Sequence, residues 1–186
     1  MIGIDAKIER VRTLFEQELF LDYSYNSYGR AFINERDGKK IPERYVSDNE
    51  YQEVLLNDRV ACTSFFSVEN DYTVDRNLLS GTVNIYFSCN LSTVYPSVSE
   101  RAVEYLHRDV SAILKRESFE LTGITSGADA FSDFDFSDNM QPFYLVRFKT
   151  ETSWLIGECV ELPNDAIITQ GGLFITTQSD KLIIIQ

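Results

Sequence analysis

The chain is poor in the residues that catalysis and metal binding use most. Its 186 residues hold one histidine, His107, and three widely spaced cysteines, Cys62, Cys89 and Cys159. No CxxC pair is present, which argues against a thiol metal site or redox pair. Reduced thiols are the expected state. There is no glycine-rich phosphate loop, and no nucleophile, base and orienting acid fall together in a known pattern. No stretch approaches the ~18 apolar residues of a membrane-crossing helix. The opening residues, Met1 to Lys7, lack the apolar run of a signal peptide. Gly3 is not at position 2, so the myristoylation pattern fails as well. The chain is expected to act by shape and contact, not as an enzyme, with no catalytic residue, no metal and no cofactor.

What is present is aromatic and acidic. Thirteen Phe, ten Tyr and one Trp make up 13% of the chain. Such residues favour strands and are enriched at interfaces. The net charge of −12 comes from 29 acidic and 17 basic residues. A body this acidic repels phosphates, so reading DNA or RNA is disfavoured. The same repulsion suits a surface past which DNA must slide without sticking.

The patterning predicts an α+β fold, a mixed or antiparallel sheet packed by two helices and carrying β-hairpin arms. Ile4, Ile8, Val11, Phe15 and Leu19 recur at helical spacing and predict an N-terminal helix. Residues 99–117 predict the main helix, with Ala102, Val103, Leu106, Val110, Ile113 and Leu114 as its apolar stripe. Ser97 and Glu100 have the spacing of a capping box. Asp37-Gly38 marks a turn between Ala31-Phe32-Ile33 and Ile41 to Val46, and Pro42 is expected to put the second strand on an edge. Val60–Val68 and Thr82–Leu91 are expected to pair antiparallel. In the latter, Val83, Ile85, Phe87, Cys89 and Leu91 face one way. Asp75-Arg76-Asn77 and Ser80-Gly81 interrupt the pattern between them. Phe119–Ile124 and Pro142–Thr150 read as further strands. Residues 1–161 are read as one domain with a polar loop insertion at 126–141. Residues 162–186 are read as a C-terminal β-hairpin and strand extension.

Three features invite a functional reading. His107 lies on the polar flank of the main helix, but neither an orienting acid nor a nucleophile can be inferred for it. The insertion carries Asp133, Asp135, Ser137 and Asp138, yet fails the calcium-loop template. Its sharp-turn glycine is missing, and Tyr144 stands where the closing glutamate belongs. The insertion also carries Phe131, Phe134 and Phe136, which are costly to leave in water and suit docking on a partner. The C-terminal segment is apolar and β-branched around Ile183 and Ile185, and such an edge needs covering.

The order of elements is an N-terminal helix, a hairpin region, paired strands, a capped amphipathic helix and closing strands. It resembles the tail-terminator and tail-completion proteins of tailed bacteriophages. The resemblance covers about Ile4 to Thr150. It is strongest from Thr82-Val83-Asn84-Ile85-Tyr86-Phe87 through Tyr95-Pro96 into Ser99–Glu117 and Phe119–Ile124. It implies a virion structural protein of the neck or head–tail junction, made in the host cytoplasm. Copies would form a homo-oligomeric ring, touch neighbouring neck or tail proteins, and let DNA pass without specific binding. No membrane partner is expected. The expected contact residues are Phe32, Tyr45, Phe131, Phe134, Phe136, Ile183 and Ile185. The competing expectation is a small acidic binding or inhibitor protein, monomeric or dimeric.

Overall fold

The computed structural model describes residues 3–36, 38–47, 50–54, 56, 59–75, 77–134 and 142–155. Within them the fold is α+β. A five-stranded mixed sheet and a three-stranded sheet are packed with helices.

Helix α1 (Ile4–Leu14) buries Ile4, Ile8 and Val11, as their spacing requires. It then widens into a π-turn over Phe15–Leu19, closed by the Phe20 amide on the Phe15 carbonyl at 2.9 Å. In an α-helix, residues five apart diverge by about 140°. The wider turn lets Phe15 and Phe20 share one face, and both are buried. Leu19, expected to close the apolar stripe, is only half-buried as a result.

Strand β1 (Tyr25–Arg30) runs parallel to β5 (Cys62–Asp75). Parallel neighbours need a long crossover. Here the crossover is itself a small sheet of β2 (Phe32–Arg36), β3 (Lys39–Ser47) and β4 (Glu50–Glu53). In that sheet β3 is the centre strand, not an edge. Pro42 is tolerated there because its missing N–H faces the β4 side, where pairing has ended at Glu53; its carbonyl accepts from Val54 instead.

Strand β6 (Leu78–Cys89) pairs antiparallel with β5, as expected. Neither strand breaks where the sequence pattern does. β5 continues to Asp75, and Ser80-Gly81 lie inside β6. A side chain at Gly81 would come within 3.0 Å of the Tyr72 Cβ and 3.2 Å of the Trp154 ring, so the glycine records close packing. Cys62 and Cys89 are direct cross-strand partners and form a disulfide. This corrects the expectation of reduced thiols, since a 27-residue separation in sequence says nothing of register. Cys159 lies outside the described residues.

A short helix α2 (Leu91–Val94) and a 3-10 turn (Pro96–Arg101) lead into α3 (Ala102–Arg116). The main helix thus starts three residues later than expected, and Arg101 at its N-cap supplies no side-chain cap. Val98 has non-helical angles, which separates Ser97 and Glu100 from the helix they were expected to cap. Ala102, Leu106, Val110, Ile113 and Leu114 are buried as the stripe predicts. At ~1.5–3 kcal/mol per large side chain, this face is worth several kcal/mol. Ser118, with φ of 61°, turns the chain out of the helix. Strand β7 (Glu120–Ser126) then pairs with β8 (Tyr144–Leu155), which also pairs with β6. The sheet order is β1-β5-β6-β8-β7.

The alternation of β6 builds two cores. Val83, Ile85, Phe87 and Cys89 face α1 and α3, while Tyr86 belongs to a second cluster with Phe65, Ala31 and Val54.

Candidate functional site

Within the 126–141 insertion, Phe131 and Phe134 are turned inward. A 3-10 turn over Gly127–Phe131 folds back on the sheet and buries Phe131 and Phe134, at 4% and 8% exposure. Tyr86 and Phe65 stack with centroids 4.6 Å apart. The two phenylalanines meet the Tyr86 ring edge-on at 5.4 and 5.2 Å. Asp133 is held by Arg147 at 2.7 Å, which pins the turn to β8. The expected exposure of Phe131 and Phe134 is therefore corrected. Their hydrophobic demand is met within the chain, because the second sheet face needed covering. Phe136, Ile183 and Ile185 lie outside the described residues.

The other expected contact residues are exposed, on the β2–β3–β4 arm. Tyr45 and Tyr51 are direct partners across β3 and β4. Phe32 meets Tyr51 edge-on at 6.3 Å, and Tyr45 meets it at 5.6 Å. Phe32, Tyr45 and Tyr51 remain 38%, 47% and 44% exposed. The period of two puts Ile33 and Val46 on the opposite face of the arm, where they too are exposed.

The aromatic face overlooks a groove of about 450 Å³ beside α1, which also receives Arg30, Arg44 and Glu9. The Arg30 guanidinium lies 4.9 Å from the Phe32 ring centroid and pairs with Asp5 at 3.0 Å. Beneath, Glu43 is buried and accepts from Asn34 Nδ2 at 2.5 Å. The arm is thus anchored by polar groups and tipped by half-exposed rings. Tyr and Arg are the residue types that dominate binding energy at protein interfaces. Phe32 and Tyr45, expected from the sequence as contact residues, lie exposed on this face, and Tyr51 and Arg30, which were not expected, lie beside them. The mostly polar run Glu50 to Glu53 hid a short strand whose one aromatic completes the row.

His107 is placed for packing. Its Nε2 lies 3.0 Å from the Tyr144 hydroxyl, and its ring meets Phe148 edge-on at 5.6 Å. Burial pushes its pKa below the usual 6.5. Asp109, an acid near it in sequence, is engaged instead by the Tyr95 hydroxyl at 3.0 Å and by Arg108 at 2.7 Å.

A wide polar hollow of about 590 Å³ adjoins Lys7. The Lys7 ammonium is committed to structure. It donates to Thr152 Oγ1 at 2.6 Å and to the Ser153 carbonyl at 3.1 Å, above the Phe119 ring. Thr152 passes the bond on to the Ser118 carbonyl at 2.8 Å, tying α1 to the left-handed turn after α3. Burial lowers the Lys7 pKa. Among the described residues no group of three or more His, Cys, Asp or Glu is arranged to hold a metal ion, and no helix is long and apolar enough to cross a membrane. No family model matches the chain, and no curated protein matches it.

Proposed function

We propose that this chain is a structural protein of a tailed-bacteriophage neck or tail junction, assembling into a ring by head-to-tail contacts between copies. The observation that carries the reading is the aromatic arm, with Phe32, Tyr45 and Tyr51 half-exposed on one face and Ile33 and Val46 on the other. A three-stranded sheet that shows large apolar side chains on both sides, set among charged ones, offers contact surface for a partner. A head-to-tail contact joins two different surfaces and closes into a ring when the rotation between copies allows it. The net charge of −12 would keep passing DNA from adhering. Neighbouring neck or tail proteins would take the remaining contacts, with Phe136, Ile183 and Ile185 as further contact residues. The protein would reside in the virion after assembly in the host cytoplasm. Antibody labelling of phage particles by electron microscopy tests this. Label at a single position between head and tail is expected. Particles without label, together with a monomer that captures a soluble target, would instead support an acidic inhibitor.

A further inference from the structure

The Cys62–Cys89 bridge joins the first residue of β5 to the last residue of β6. Both strands are internal to the five-stranded sheet. On its other side Cys62 is paired with Tyr25 of β1, and Cys89 with Tyr144 of β8. Both cysteines are 0% exposed and belong to the main core with Phe66, Phe87 and Val94.

This end of the β5–β6 hairpin is also tied shut. The Ala61 amide donates to the Ser24 carbonyl at 2.8 Å, and the Asn90 amide to the Ala61 carbonyl at 2.8 Å. Asn90 then caps α2, its side chain accepting from the Thr93 amide, and α2 buries Val94. The chain before β1, the start of β5 and the start of α2 thus meet beside the bridge. Fraying of one of them alone leaves the sulfurs covered.

Thiol–disulfide exchange needs contact. A thiolate attacks one sulfur, forms a mixed disulfide and releases the other sulfur as a thiolate; a second thiol then displaces the first. With dithiothreitol, the reagent gives up two electrons and two protons as its own disulfide ring closes, and the two cysteines take them up as thiols. Closure by oxidised glutathione runs the other way and starts with a Cys62 or Cys89 thiolate. Apolar burial raises a thiol's pKa and suppresses that thiolate. Exchange in either direction therefore requires an opened chain.

We infer that Cys62–Cys89 is a redox latch: the pair is set as disulfide or dithiol while the chain folds, and the folded chain then holds that state against reductant and oxidant alike. The bridge records the redox conditions of folding, not those met afterwards. The inference is independent of ring assembly.

Reduction kinetics test it, with Cys159→Ser as the background so that no third thiol takes part. The oxidised chain is exposed to dithiothreitol across a urea series, quenched with iodoacetamide and read by intact mass. Reduction in native buffer is expected to be at least about a thousandfold slower than in the unfolded chain. The logarithm of the rate should rise with urea at the slope of global unfolding. Native reduction within about tenfold of the unfolded rate, or a rate flat in urea below the unfolding transition, would overturn the inference by showing an open route to the sulfurs. In the reverse direction, a chain folded in reductant and then desalted should stay dithiol under oxidised glutathione, and should close once unfolded in urea. Closure in native buffer as fast as in urea would also overturn it. The reduction arm decides alone if the dithiol chain does not fold.

Discussion

Tyr45 and Tyr51 face each other across β3 and β4 with ring centroids 5.6 Å apart, and close to half of each side chain stays in water. Such a pair stabilises the arm by about 0.5–1.5 kcal/mol. Replacing Phe32, Tyr45 and Tyr51 together by Ser should therefore cost the monomer only about 1–2 kcal/mol in urea denaturation. It should abolish self-association. Unchanged assembly with that modest loss of stability would remove the arm from the contact surface.

Phe131 and Phe134 should behave in the opposite way. Each fills a core shared with Phe65 and Tyr86. Phe131→Ala or Phe134→Ala is expected to cost about 3–5 kcal/mol, as buried phenylalanines do. Denaturant midpoints of the two variants check this. A loss below about 1 kcal/mol would mean that the rings are not core residues.

The Cys62–Cys89 disulfide closes a loop across the β5–β6 hairpin. Loop-closure entropy for a separation of 27 residues corresponds to about 3–4 kcal/mol. Intact mass after alkylation without reductant should show both thiols blocked from labelling. Adding reductant should lower the denaturation midpoint. Free labelling of both in the native protein would contradict the pairing.

The pH dependence of stability should carry a His107 contribution. Burial lowers its folded pKa below 6.5. As pH falls through 6.5 the unfolded chain takes up a proton that the folded chain refuses. Unfolding therefore becomes easier over the window from 6.5 down to the folded pKa. His107→Gln, which cannot titrate, should show a flatter stability profile there than the parent. Identical slopes for the two proteins would show that His107 is as free to protonate when folded as when unfolded.

The two helices and the β5–β6 pair were legible because their signals are local. Ile4, Ile8 and Val11 repeat at one helical spacing, and Val83, Ile85 and Phe87 alternate at the strand period. What escaped the sequence was long-range. Nothing local says that β1 joins β5 in parallel, or that Cys62 and Cys89 share a register position. The destination of Phe131 and Phe134 was equally hidden. An aromatic run among aspartates looks the same whether a partner covers it or Tyr86 does. Ser80-Gly81 misled for the same reason: glycine breaks a local pattern, while here it makes room for Tyr72 and Trp154.

The mass of the native particle, followed across concentration by sedimentation and native mass spectrometry, tests the assembly reading most directly. The subunit is 21.4 kDa. A closed ring should give a single species at a fixed whole-number multiple of that mass, which does not grow further on concentration and which the Phe32→Ser/Tyr45→Ser/Tyr51→Ser variant cannot form. A species that stays at the subunit mass throughout, alone and in the presence of phage tails, would contradict it.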